Sequence, residues 1–133
     1  MDKRPKIIAR MFDRIAPSYD RLNTILSFGL DKGWRRAVIR TMDLHANDRV
    51  LDIATGTGDM ALLALDRTPC HITGIDLSRQ MLVRAVAKAA RRNHGRDYCV
   101  LQGNALKMPF PDATFSKAMV GFGIRNMDNL PGL

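Results

Sequence analysis

The chain of 133 residues contains no glutamate, so every carboxylate role falls to its 13 aspartates. Cysteine is scarce: Cys70 and Cys99 are the two present. With no metal-ligand spacing around them, they exclude a cysteine-based zinc site. They read as reduced, small apolar residues near the starts of neighbouring strands, as in a cytosolic protein. No apolar run approaches the roughly 18 residues of a membrane span. The charged N-terminus leads into no uninterrupted apolar stretch of the signal-peptide kind. Aromatics are few, and Trp34, Tyr19 and Tyr98 are too dispersed to form a base-stacking platform. That argues against a nucleic-acid partner, although a formal charge of +8 favours anionic partners in general. The densest basic group, Arg84, Lys88, Arg91, Arg92 and Arg96, falls on the polar face and C-terminal end of one expected helix, where cations suit the helix dipole.

What the chain does contain is an organised pattern of the size of one domain. Residues 3–16 read as an amphipathic helix: Ile7, Ile8, Met11, Phe12 and Ile15 recur at spacings of three and four, and Pro17 stops it. Further helices are expected over about 20–26 and 32–42, with Ser27-Phe28-Gly29 as the break. From Arg49 strands and helices alternate. Strands are expected at 49–54, 71–76, 98–102 and 115–120, and helices at 59–66 and 79–93. Strands separated by helical patterns imply right-handed βαβ units on a parallel sheet. The fold expected is therefore α/β and Rossmann-like, with about four parallel strands at 49–133, preceded by a helical segment at 1–48. The link 103–114, with Pro109 and Pro111, reads as a loop or a brief helix.

The most informative stretch is Val50-Leu51-Asp52-Ile53-Ala54-Thr55-Gly56-Thr57-Gly58-Asp59. A buried strand runs into a glycine turn and then a helix, and in open α/β sheets ligands bind beyond the carboxyl ends of such strands. Gly56 and Gly58 supply positive φ or thin backbone for close approach. Asp52 is a charge inside a strand, an odd place unless it serves the site. Asp76 ends the second strand, 18 residues after Gly58, where a carboxylate is placed to accept hydrogen bonds from ribose hydroxyls. Ser78 is the better cap of the following helix, so Asp76 is not needed for that. Asn104, at the end of the third strand, can read an adenine edge, and Ala105 leaves room for the ring. Gly121 ends the fourth strand, with Arg125 and Asn126 facing the crevice. No lysine followed by serine or threonine comes after the turn, which excludes a phosphate-cradling P-loop. The register Gly56-x-Gly58-x-x-Ala61 still fits a relaxed dinucleotide pattern, so the spacing leaves a dinucleotide and a mononucleoside cofactor both open.

Asp52-x-Ala54-x-Gly56-x-Gly58 resembles the first motif of class I S-adenosylmethionine-dependent methyltransferases, with alanine where many members have the first glycine. Two further segments narrow the resemblance. One is Phe12-Asp13-Arg14-Ile15-Ala16-Pro17-Ser18-Tyr19-Asp20-Arg21-Leu22-Asn23, continuing through Ser27-Phe28-Gly29-Leu30 to Trp34-Arg35. The other is Gly103-Asn104-Ala105 with Pro109-Phe110-Pro111-Asp112 and Gly121-Phe122-Gly123-Ile124-Arg125-Asn126. Together they resemble the menaquinone and ubiquinone biosynthesis C-methyltransferases over nearly the whole chain, which decides against the dinucleotide. The resemblance implies methyl transfer from S-adenosylmethionine to a ring carbon of a reduced prenylated quinone. It places Thr57, Asp76, Asn104, Ala105 and Gly121 along the cofactor. Gly121 departs from the serine often found there. Asp13, Tyr19 and Asp20 are weak candidates for a general base, and no base is assigned. A prenylated substrate also suggests peripheral contact of the N-terminal helix with the inner face of the membrane. RNA methylation and a non-catalytic cofactor-binding module are the competing readings.

Members of that family run to roughly twice this length, and their sheet has seven strands. The expectation is a truncated chain whose fourth strand is left as an open edge, inviting a strand-exchanged dimer.

Overall fold

The computed structural model describes residues 23–26, 32–104, 110 and 114–120. In chain order the elements are β1 (Asn23–Leu26), α1 (Lys32–Met42), β2 (Arg49–Ile53), α2 (Asp59–Arg67), β3 (His71–Asp76), α3 (Arg79–Arg91), β4 (Tyr98–Gln102) and β5 (Lys117–Val120). The five strands form one sheet in the order β1-β5-β2-β3-β4, and every neighbouring pair is parallel. From β2 the chain steps outward to β3 and β4, then returns to the other side of β2 to place β5. That reversal opens a crevice at the carboxyl ends of the strands, beside β2.

The central strands are buried on both faces, which is why they read as nearly continuous apolar runs. Val50, Ile72, Tyr98 and Met119 meet Val38, Ile39 and Met42 of α1, Met60 to Leu65 of α2, and Ala85 and Ala89 of α3 in one core. Leu51, Ile53, Ile75, Ala118 and Val120 are buried too. Next to β3 and β4, α3 begins at its cap Ser78, whose hydroxyl accepts the Met81 N–H. It ends at Arg91 with Arg92 as its cap, and the next residue, Asn93, takes φ 63°. The Asn93 and His94 amides then turn back to the carbonyls of Ala90 and Ala89, closing a Schellman motif. The helix is therefore two residues shorter than its periodicity suggests. The opposite end of the sheet is clamped by Lys117, 8% exposed, whose ammonium lies 3.0 Å from Asp48 Oδ2. Burial alone would raise the Asp48 carboxyl, but the His45 amide, Lys117 and Ser116 outweigh it and hold it below its ordinary value.

Three expectations are corrected. Residues 23–26, read as helical, form a strand, because pairing with β5 overrides local propensity in Asn23-Thr24-Ile25-Leu26. The outer side of β5 is consequently occupied by β1, so the open edge expected there, and a dimer built on it, lose their basis. The last strand starts at Lys117 rather than Phe115; Phe115 instead packs edge-on against Phe110, with ring centroids 5.0 Å apart. The helix expected at 3–16 and most of the 103–114 link lie outside the described residues.

Candidate cofactor site

β2 stops at Ile53, and the turn that follows passes through three left-handed positions: Ala54 (φ 58°), Gly56 (φ 59°) and Gly58 (φ 86°). Glycine takes this conformation freely, whereas an alanine there costs about 1–2 kcal/mol. Ala54 thus occupies the place where glycine is the more comfortable residue. A Cβ on Gly56 would meet nothing within 4 Å, so the backbone there faces open space. The Gly56 N–H donates to Asp76 Oδ2 at 2.8 Å, which ties the turn to the tip of β3.

Asp76 also accepts the Ser78 N–H on Oδ1 at 2.9 Å, and its own carbonyl accepts the Gly103 N–H at 2.9 Å. One residue therefore links the turn after β2, the start of α3 and the segment after β4 that carries Asn104. Each carboxylate oxygen accepts one protein N–H and keeps a second lone pair for a ligand. Asn104 is half-buried at this edge. Gly56, Asp76 and Asn104 thus lie at one sheet edge, with Thr57 and Gly58 continuing the turn beside them. Ala105, Gly121, Arg125, Asn126, Asp13, Tyr19 and Asp20 lie outside the described residues.

Asp52 does not face the crevice. It is 1% exposed, beneath the turn, where its Oδ2 accepts the Thr55 hydroxyl at 2.6 Å. Thr55 Oγ1 is in turn 2.6 Å from the Tyr98 hydroxyl. Asp52 Oδ1 is buried without a hydrogen-bond partner. Burial first, and the nearby Asp76 carboxylate second, push the Asp52 carboxyl up to about 7, against the opposing Thr55 hydrogen bond. Between the unfolded value of 3.8 and about 7 the folded chain holds a proton that the unfolded chain has released. The Asp52 contribution to stability is therefore fully present below the unfolded value and is lost as pH rises through about 7. Denaturant unfolding between pH 5 and 8 should show this decline, and Asp52→Asn should flatten it. An unchanged slope in the variant would contradict the assignment.

The helices brace the same turn. Lys88 on α3 donates to the Thr57 hydroxyl at 3.0 Å and pairs closely with Asp59, while Arg35 of α1 approaches Asp59 at 4.0 Å. The Thr57 hydroxyl is thus held by α3. Sequence reasoning overlooked four residues here: Thr55, Gly74, Lys88 and Tyr98. Gly74 carried a legible signal, since a glycine inside a strand often marks a close approach. A Cβ on it would sit 2.7 Å from Thr55 Oγ1.

Residues 1–132 match the ubiE/COQ5 methyltransferase family. The chain belongs to that family. A match of this extent removes the dinucleotide alternative that the glycine spacing left open. The chain is 43% identical over 129 residues, 95% of its length and 55% of the relative's, to a ubiquinone/menaquinone biosynthesis C-methyltransferase of Geotalea daltonii. It is 44% identical over 128 residues, 94% of its length and 52% of the relative's, to a demethylmenaquinone methyltransferase of Deinococcus radiodurans. The chain spans about half the length of the curated relatives it matches. Among solved structures, the YcgJ protein of Bacillus subtilis superposes with a TM-score of 0.62 at 28% identity, covering 68% of this chain and 38% of that one. A methyltransferase of Geobacter sulfurreducens, crystallised with S-adenosyl-L-homocysteine, shares the fold with a TM-score of 0.55 at 21% identity, over 72% of this chain and 36% of that one. The sheet of the ubiE/COQ5 chain is accordingly that of S-adenosylmethionine-dependent methyltransferases.

Proposed function

We propose that this chain carries the cofactor-binding part of an S-adenosylmethionine-dependent C-methyltransferase that acts on a prenylated quinol, demethylmenaquinol or its ubiquinone-pathway counterpart. The observation that carries the reading is the convergence of the glycine turn, Asp76 and Asn104 at one sheet edge in a chain of the ubiE/COQ5 family. The residues present fit that cofactor. Open space at Gly56 admits a ligand against the backbone, the spare lone pairs of Asp76 suit two ribose hydroxyls, and Asn104 suits an adenine edge. Ala105 and Gly121 would line the same cofactor, and Arg125 and Asn126 would face the quinol. When bound, the cofactor supplies an electrophilic methyl group. The protein's work is alignment and exclusion of water; removal of the quinol hydroxyl proton is general-base work for which Asp13, Tyr19 and Asp20 are candidates and no residue is assigned.

A site at the inner face of the membrane suits a prenylated substrate. Leu77, Met81, Val83, Val86 and Leu101 are the exposed large hydrophobic residues among those described; Met81, Val83 and Val86 lie on α3 and Leu77 just before it. No acidic residue occurs between Leu77 and Arg96, a stretch rich in arginine. An apolar and cationic surface of this kind favours anionic lipid. No described helix is long and apolar enough to cross a membrane.

The test is methyl transfer from S-adenosylmethionine to demethylmenaquinol in anionic vesicles, with RNA as the competing acceptor. Methylated quinol in the vesicle fraction is the expected result. Methylated RNA with untouched quinol would overturn the substrate, and activity confined to the supernatant would overturn the membrane contact.

A further inference from the structure

We propose that Tyr98 is a positioning residue for the cofactor turn: from the edge strand β4 it holds Thr55, and through Thr55 it engages Asp52, keeping residues 55–58 in their binding form. This rests on reading the turn as the S-adenosylmethionine site.

The turn needs such a hold. Three of its positions are left-handed, and one of them is an alanine. Asp76 fixes it at Gly56 from the crevice side. Tyr98 fixes it from beneath, at two further points. Its hydroxyl lies 2.6 Å from Thr55 Oγ1, and its ring sits under Gly58, where a Cβ would come within 3.1 Å of the hydroxyl and 3.2 Å of Cε2. Gly74 makes the arrangement possible, since any side chain there would occupy the space of Thr55. Asp52, Thr55 and Tyr98 are 1%, 4% and 5% exposed, so Asp52 Oδ2 and the two hydroxyls bond one another away from water, while Asp52 Oδ1 stays without a partner.

Proton counting sets the direction of this chain of hydroxyls. Each hydroxyl has one hydrogen to give. With Asp52 ionised, Thr55 donates to the carboxylate and Tyr98 must donate to Thr55. Burial, and then the Asp52 charge, raise the Tyr98 phenol further above its ordinary value, so it remains a donor. With Asp52 protonated the order reverses: Asp52 donates to Thr55, and Thr55 donates to Tyr98. Asp76 from β3 and Tyr98 from β4 are the titratable groups that act on Asp52. The ionised arrangement ends on a carboxylate and is the stronger of the two. Removing the Tyr98 hydroxyl therefore weakens the ionised form more and moves the Asp52 titration upward.

The test is calorimetric titration of the full chain with S-adenosylmethionine from pH 6 to 8.5, for the parent, Tyr98→Phe, Thr55→Val, their double variant and Thr55→Ser. Tyr98→Phe should weaken binding by about three- to tenfold above pH 7, the scale of one lost buried hydrogen bond. It should also move the pH midpoint of affinity upward. Thr55→Val should lose a similar amount, the double variant should lose no more than the worse single one, and Thr55→Ser should bind as the parent does. A Tyr98→Phe protein with the parent's affinity and pH profile, whatever its melting temperature, overturns the proposal. Should Tyr98→Phe fail to fold, equal affinity of Thr55→Val and Thr55→Ser overturns it instead. A parent that does not bind S-adenosylmethionine overturns the functional reading, and this one with it; a parent that binds while the hydroxyl deletions have no effect overturns this one alone.

Discussion

Gly74→Ala should abolish tight cofactor binding and lower stability by about 2–4 kcal/mol, the range of a core clash combined with a broken buried polar contact. The new Cβ would stand 2.7 Å from Thr55 Oγ1 and 2.8 Å from both its Cβ and Cγ2. Thr55 has no room to yield. Its hydroxyl is engaged by Asp52 and Tyr98, and its amide donates to the Ile75 carbonyl at 2.9 Å. Relief must come from moving the turn as a whole, which breaks the Gly56–Asp76 contact at its far end. Urea unfolding gives the stability change and calorimetry the affinity. A variant with parental stability and affinity would mean that the turn is not packed against β3 as described.

Asp76→Ala should cost at least a hundredfold in S-adenosylmethionine affinity and about 2–3 kcal/mol of stability, the latter from two charge-assisted hydrogen bonds to backbone amides. Both carboxylate oxygens are used inside the protein, at Gly56 and Ser78. The proposed ribose contacts fall on the same two atoms. The variant therefore loses ligand contacts and loop position together. Asp76→Asn separates these roles: one acceptor oxygen survives, so folding should recover more than binding does. Equal binding by Asp76→Ala and the parent would refute the ribose assignment.

The parallel sheet was legible because each central strand shows one signal clearly. Val50 to Ile53 and His71 to Asp76 are short, β-branched and bounded by turn residues, and burial on both faces produces that pattern. The segment 23–26 was not legible. Four residues between two breaks carry too little periodicity, and only β5, far away in sequence, makes them a strand. The turn itself was likewise readable, since the positive φ of Gly56 and Gly58 and the place of Asp76 at the tip of β3 follow from spacing. Its underside was not. Asp52 looked like a ligand group because it is a charge in a strand, yet its partners are Thr55 at three residues and, through Thr55, Tyr98 at 43 residues from Thr55. A contact that reaches across the intervening strand β3 leaves no local spacing to find. Ala54 shows the reverse case: its departure from glycine was visible in the sequence, and the left-handed φ explains why glycine suits that place.

The most direct test of the account is a pair of titrations of the unaltered chain, one with S-adenosylmethionine and one with NAD. The account predicts saturable one-to-one binding of S-adenosylmethionine and none of NAD. Binding of NAD, or of neither ligand by a folded chain, would contradict it.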